Sequence, residues 1–222
     1  MCAIIGICTK DLTSRHLTFL GKLMTESQIR GRHATGISWV QDPGEIHTRI
    51  VEGDSKRFLL EHPLQLLFKL GEPLSLIGHC RYSTSDLEYN QPIVGDNLAL
   101  VHNGVVTQRE PEEWPEMFDL PAENFRTRND SEIVLLKQAE YKASLYPRHH
   151  PLVALPDASL AVLSLDKGGT VEAYHNEKRP LWYCEDKYIT FYFSTRDIGL
   201  RAGLAAEKVL PLKDNMIYTS RT

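Results

Sequence analysis

Apolar residues crowd the first positions of the chain, MCAIIGIC, and Ile4, Ile5 and Ile7 leave no polar face. A short β-branched run of this kind predicts a strand over Cys2–Cys8 that is covered on both sides. The period then changes. Between Ser14 and Gln28, Leu17, Leu20, Leu23 and Met24 fall on one stripe, which predicts a helix capped by Thr13 or Ser14. RGRHATGISWV reads as a glycine-bearing loop running into a strand, and Phe58–Leu70 alternates at helical period. Leu74–Gly78 and Leu98–Val101 are short apolar runs beside turn residues, as inner strands are. Asp130–Ser144 reads as a helix with Asn129, Asp130 or Ser131 at its cap.

Strands dominate the last third. Ser159–Leu165, Val171–Tyr174, Leu181–Tyr183, Tyr188–Ser194 and Met216–Tyr218 all favour them, and Arg196–Leu204 reads as a short helix. Pro156-Asp157, Lys167-Gly168-Gly169 and Lys213-Asp214-Asn215 are turn signals. Residues 106–128 carry Pro111, Pro115, Pro121 and many acids, so an exposed loop with at most a short helix is expected there. Residues 146–156 are also proline-rich and read as a surface excursion. Many strands with two helical groups fit two stacked sheets with helices outside, although periodicity alone leaves the layering open.

Composition narrows the function classes. The 222 residues are 42% hydrophobic and 24% charged, ordinary for a globular chain, and a single domain over 1–222 is expected. Net charge is −4 and no basic block exists beyond Arg148-His149-His150, which argues against nucleic acid. No run approaches the ~20 apolar residues of a membrane span. The start lacks a secretory signal's basic and apolar regions, so it reads as the mature start less at most Met1, and no membrane partner is expected. Cys2, Cys8, Cys80 and Cys184 form no CxxC pair, which fits a reducing cytoplasm. The last three read as small buried hydrophobes.

Several segments place polar groups in series. Gly78-His79-Cys80-Arg81-Tyr82-Ser83-Thr84 follows an apolar strand. Val101-His102-Asn103-Gly104 follows another and ends in Asn-Gly, first of all a type I′ hairpin signal. Arg128-Asn129-Asp130-Ser131-Glu132 stands at a helix start, where capping alone accounts for such residues. Asn90-Gln91-Pro92 reads as a loop entering a strand, and Arg30-Gly31 by itself allows a solvated arginine. Taken together they offer a thiol near the terminus, donors at Asn-Gly, an arginine for a carboxylate and an aspartate for an ammonium. Those parts hold an amino acid by its α-groups and attack its side-chain carbonyl. His79, Cys80 and His102 lack metal-ligand spacing and no GxxxxGK[ST] occurs, so neither a metal nor a cofactor is expected.

As an ordered set, these motifs resemble the glutaminase domains of class II glutamine amidotransferases, which are N-terminal-nucleophile (Ntn) hydrolases. The resemblance rests on Met1–Gly6, Arg30-Gly31, Thr35-Gly36-Ile37, Gly78–Thr84, Asn90-Gln91-Pro92, Val101–Gly104 and Asn129–Glu132. Arg179-Pro180-Leu181 and Phe193-Ser194-Thr195 look like the distal part of the same domain. By pattern the chain is similar to the glutaminase halves of glutamine phosphoribosylpyrophosphate amidotransferase and glucosamine-6-phosphate synthase. It departs at Ala3, where many members have glycine, and at Arg32-His33-Ala34, where an acidic or small polar pair is frequent.

The resemblance implies an α+β fold, a four-layer αββα sandwich of two stacked, mainly antiparallel sheets covered by helices. It implies L-glutamine as substrate and Cys2, freed by loss of Met1, as nucleophile, with its own α-amine as base. Asn103 and Gly104 would hold the oxyanion, Arg81 the α-carboxylate and Asp130 the α-ammonium. Thr84 and His102 would line the pocket, and Arg30 would order the loop beside Cys2. Relatives continue into a synthase or transferase domain, whereas this chain stops at Thr222, so a synthase acting in trans is the implied partner. A γ-glutamyl amide or peptide hydrolase of the same fold, and a non-catalytic glutamine-sensing or scaffold subunit, are the alternatives.

Overall fold

The computed structural model describes residues 2–83, 89–144 and 150–222. Among these, the strands in chain order are β1 (Ala3–Thr9), β2 (Ala34–Val40), β3 (His47–Glu52), β4 (Leu74–Arg81), β5 (Ile93–Val94), β6 (Leu98–His102), β7 (Ala161–Asp166), β8 (Thr170–His175), β9 (Trp182–Glu185), β10 (Ile189–Phe193), β11 (Val209–Pro211) and β12 (Ile217–Arg221). The helices are α1 (Ser14–Ser27), α2 (Ser55–Glu61), α3 (Leu64–Leu67), α4 (Trp114–Phe118), α5 (Ser131–Ala143), α6 (Pro151–Ala154) and α7 (Arg196–Arg201). One sheet runs β11-β9-β10-β1-β4-β2-β3 and the other β12-β8-β7-β6-β5, with antiparallel neighbours throughout.

β1 is apolar on both faces because it lies inside its sheet, with Ile5 opposite Phe193 on one side and Gly78 on the other. Ala3, Ile5 and Ile7 point outward and join Leu17, Leu20 and Leu23 of α1 and Ile198 of α7. Ile4 points the other way and joins Ile77, Val101 and Leu163 between the sheets. The far face of the five-stranded sheet, through Leu98 and Leu100, packs on Ile133 and Val134 of α5. Helices, sheet, sheet and helices thus form the expected α+β four-layer sandwich. Each fully buried leucine or isoleucine of these layers contributes about 1.5–3 kcal/mol. No helix among the described residues is long and apolar enough to cross a membrane.

α1 begins where its stripe does. The Thr13 hydroxyl accepts from His16 N at 3.2 Å, and Thr13 N donates to His16 Nδ1 at 3.3 Å, a reciprocal cap with histidine in the usual glutamate position. The helical period over residues 58–70 is divided into α2 and α3 at Pro63, which lacks the N–H that a continuing helix needs. Residues 106–128 are not simply an exposed loop. Trp114 and Leu120 of this segment are buried, and Trp114 Nε1 donates to Arg109 O at 2.9 Å.

The Asn103-Gly104 hairpin is a further correction. Gly104 does not adopt the left-handed backbone a type I′ turn requires. Instead the chain bends at Gly104 and runs on alongside the segment leading into β7: Asn103 N donates to Ala161 O at 2.9 Å and Ser159 N to Val105 O at 2.8 Å.

Candidate active site

Cys2 stands at the head of β1. The ladder pairs Ala3 with Cys80 and Ile4 with His79, so Cys2 lies level with Arg81. By strand alternation, Cys2, Ile4, His79 and Arg81 share the face that meets the second sheet. The end of β4 wraps the thiol: Tyr82 N donates to Cys2 Sγ at 3.4 Å, and Sγ lies 3.7 Å from Tyr82 O. Arg30 Nε donates to Cys2 O at 3.0 Å, and Ile4 N donates to Ser194 Oγ at 2.8 Å. The main chain around the thiol is therefore held by the turn after α1 and by the segment after β10.

Arg30 reaches Cys2 because the chain turns tightly after α1, with Arg30 N donating to Ser27 O at 3.0 Å and Gly31 N to Gln28 O at 3.2 Å. Gly31 then lies flat against the Cys80 and Arg81 carbonyls, where a β-carbon would collide with both. Burial lowers the proton affinity of Arg30, the Cys2 sulfur opposes this and Arg179 adds to it.

A cavity of about 570 Å³ opens over Cys2. His79, Arg81 and Tyr82 form its wall on the first sheet, and His102, Gly104 and Val105 its wall on the second. Asn129, Asp130 and Ser131 close a third side at the start of α5. Arg81 Nη1 donates to Tyr89 O at 2.6 Å and Asn90 Oδ1 at 2.8 Å, and Asn129 Nδ2 donates to the same Tyr89 carbonyl at 3.2 Å. Asp130 Oδ2 accepts from Val106 N at 2.6 Å and Thr107 N at 3.3 Å, so its carboxylate ties the segment after Gly104 to α5. It makes no helix-capping bond itself; Asn129 Oδ1 takes Ser131 N at 3.0 Å.

His102 lies inside a closed hydrogen-bond network. Its Nε2 is 3.0 Å from Ser159 O, a carbonyl that can only accept, so Nε2 carries the proton. Nδ1 then accepts from Ser131 Oγ at 2.9 Å, and that oxygen accepts from Gln91 Nε2 at 3.1 Å. Gln91 Oε1 in turn accepts from His102 N at 2.6 Å. Burial lowers the His102 pKa, with Asp130 and the Ser159 carbonyl opposing and Arg179 adding, so the ring is neutral. Beside it, a β-carbon on Gly104 would overlap the Ser159 carbonyl oxygen. Only glycine lets the two chains approach this closely.

Cys2, Arg81, His102, Gly104 and Asp130 thus border one cavity. Arg30 touches the Cys2 carbonyl without lining the cavity. Asn103 is buried at the end of β6 and is not a lining residue; it has the strand parity of Ala99 and Val101, which face the first sheet. Thr84 lies outside the described residues. Sequence reasoning assigned no role to Tyr82, Gln91 or Ser131. Tyr82 acts through its backbone and leaves no sequence signal, whereas a glutamine and a serine beside apolar runs invite a search for buried partners. Cys80, next to the site, is inert: burial pushes its thiol up to about 12, assisted by Cys2 and Asp54 and opposed by Thr35.

No protein-family model matches the chain and no curated protein does. Solved structures match over nearly all of it. Glutamine phosphoribosylpyrophosphate (PRPP) amidotransferase from B. subtilis, complexed with ADP and GMP, has TM-score 0.68 and 18% identity, covering 99% of this chain and 49% of that one. The allosteric regulatory enzyme of purine biosynthesis has TM-score 0.69 and 19% identity, with the same coverage of 99% and 49%. The chain has the class II glutamine amidotransferase fold. A glutamine aminotransferase class-II domain protein from Silicibacter pomeroyi shares this fold over 98% of this chain and 94% of its own, at TM-score 0.62 and 12% identity. The chain thus spans about half the length of the first two structures.

Proposed function

We propose that this chain is a glutaminase unit of the class II amidotransferase type, which releases ammonia from L-glutamine by way of a Cys2 thioester. The observation that carries this reading is the meeting of Cys2 and Arg81, from one sheet, with Gly104 and Asp130, from the other side, around one cavity. Loss of Met1 gives Cys2 a free α-amine. Such an amine ordinarily titrates near ~7.7–8.0, so a useful fraction is neutral near pH 7.

The amine takes the thiol proton as Sγ attacks the side-chain amide carbon. The oxyanion that forms is held by the Gly104 N–H and the Asn103 side-chain N–H, each such donor being worth about 3 kcal/mol of barrier. The amine returns its proton to the leaving nitrogen, the C–N bond breaks and ammonia departs. Water, giving a proton to the amine, then attacks the thioester. The C–S bond breaks, and the thiol and glutamate are released. Arg81 binds the α-carboxylate as a forked donor. The Asp130 carboxylate, which accepts from two main-chain donors, takes the α-ammonium. His102 belongs to the pocket wall, and Arg30 holds the Cys2 carbonyl. The acceptor of the ammonia is a synthase acting in trans, and the setting is cytoplasmic.

Glutamate release from L-glutamine by protein lacking Met1, with Cys2→Ala as control, tests this. Release that depends on Cys2 is expected; none, with Cys2 unmasked, counts against it. The cavity also continues past Asp130 along Thr107, Gln108 and Arg109. That extension favours, as a second reading, a longer γ-glutamyl amide or peptide held by the same α-group residues. Turnover of γ-glutamyl dipeptides well above glutamine distinguishes the two.

A further inference from the structure

The first residues of α5 grip the Gly104 segment twice. Beyond the glycine, Asp130 Oδ2 accepts from Val106 N at 2.6 Å and Thr107 N at 3.3 Å. Before it, the link runs through side chains: Ser131 Oγ is 2.9 Å from His102 Nδ1, and His102 Nε2 is 3.0 Å from Ser159 O. Gly104 rests on that ring and that carbonyl, since a β-carbon there would overlap Ser159 O and lie 2.5 Å from His102 Nε2. The N–H groups on either side are taken, that of Asn103 by Ala161 O at 2.9 Å and that of Val105 by Ser159 O at 3.2 Å. The Gly104 N–H has no hydrogen-bond partner among the described residues, and Gly104 lines the cavity that holds Cys2.

Hydrogen-bond direction makes this link a single arrangement. Ser159 O can only accept, which puts the His102 proton on Nε2 and leaves Nδ1 as an acceptor. Ser131 must then give its one proton to Nδ1, so its oxygen is open to a donor, and Gln91 Nε2 supplies one at 3.1 Å. The Gln91 amide is held in that orientation because its Oε1 accepts from His102 N at 2.6 Å. Gln91, His102 and Ser131 are all buried, so reversing any one bond sets two donors or two acceptors face to face away from water. A buried group left unmatched costs about 1–3 kcal/mol. The ring is thereby kept in one tautomer and one orientation, and Gly104, lying on it, inherits the constraint.

We propose that Gln91 and Ser131 are positioning residues that, acting through His102, aim the Gly104 N–H at the oxyanion formed on Cys2. This rests on the glutaminase reading. Neither side chain enters the chemical steps of that cycle. Both act on the barrier by holding a donor aligned before charge develops, so that no rearrangement is needed during the reaction.

The test uses the only Asn-Gly step in the chain: carbonyl-¹³C asparagine combined with ¹⁵N glycine gives one linked amide signal, that of Gly104. This signal, kcat for L-glutamine and the inhibition constant of L-glutamate are measured in the parent protein, Ser131→Ala and Gln91→Met, all lacking Met1. Both variants should displace the Gly104 signal and lower kcat by about ten- to hundredfold. Glutamate carries the α-groups but forms no oxyanion, so its inhibition constant should change by less than about threefold. Should one variant not fold, the other carries the same readouts.

An unmoved Gly104 signal, an unchanged kcat, or a loss shared equally by glutamate binding overturns the assignment and leaves the glutaminase reading intact. A parent protein with Cys2 unmasked that releases no glutamate overturns that reading and the proposal with it.

Discussion

Gly104→Ala is the smallest change that strikes both the join between β6 and β7 and the candidate site. A β-carbon at residue 104 would overlap the Ser159 carbonyl oxygen and lie 2.7 Å from the Ser159 carbonyl carbon and 2.5 Å from His102 Nε2. Two backbones and a saturated imidazole meet there, so no flexible side-chain end can give way. Relief requires the segment after β6 to leave its neighbour. That movement strains Asn103 N–Ala161 O at 2.9 Å, Val105 N–Ser159 O at 3.2 Å, Ser159 N–Val105 O at 2.8 Å and His102 Nε2–Ser159 O at 3.0 Å.

Losing two or three of these, at about 1 kcal/mol each, with about 1 kcal/mol of overpacking, gives about 3–4 kcal/mol of destabilisation. For a domain of this size that lowers Tm by roughly 5–15 °C. The Gly104 N–H is also displaced from the proposed oxyanion position, so glutamine kcat should fall by about a hundredfold or more. Thermal melts and glutamate release measure the two effects. Gly95→Ala is the control, since its β-carbon would meet Leu135 Cδ2 at an ordinary 3.5 Å and should shift Tm little. A Gly104→Ala protein with parental Tm and turnover refutes the close approach and the role given to that N–H.

Arg30→Met removes the Nε donor 3.0 Å from the Cys2 carbonyl; it should lower glutamine kcat/KM by about ten- to hundredfold with a small change in Tm, and an unchanged rate would mean that Cys2 is fixed without it. Stability should fall with acid through His79, whose pKa drops from an ordinary 6.5 to about 3 on folding. The unfolded chain binds the extra proton, so this contribution is complete above pH 6.5 and is lost as pH falls toward 3, by roughly 2 kcal/mol at pH 5. The lowered pKa of His102 acts in the same direction. Urea unfolding at pH 7 and pH 5 should show a smaller loss in His79→Gln than in the parent, whereas equal losses would contradict the buried neutral ring.

Where one element fixed the pattern, the sequence was legible. β1 and α1 follow directly from their apolar spacing, and α5 from the polar residues at its start, because β1 is covered on both faces and α1 buries one continuous stripe. β3 and β11 escaped notice, being an exposed edge and a very short segment whose strand character comes from pairing, whereas β5 begins where Asn90-Gln91-Pro92 reads as a loop entering a strand. Asn103-Gly104 misled because a tight turn and a close backbone approach both demand glycine, and only tertiary structure tells them apart. The second role of Asp130, holding Val106 and Thr107, was hidden behind its position at a helix start. His79 stood in a polar series at a strand end, but its burial depends on two sheets meeting, which no local pattern encodes.

The central claim is that Cys2, unmasked, is the nucleophile. Intact-mass analysis and peptide mapping after treatment with a glutamine-analogue electrophile test it most directly. The account predicts a chain lacking Met1 that carries one adduct, on Cys2, with the buried Cys8, Cys80 and Cys184 untouched. Retention of Met1, or an adduct that forms elsewhere or not at all, would contradict it.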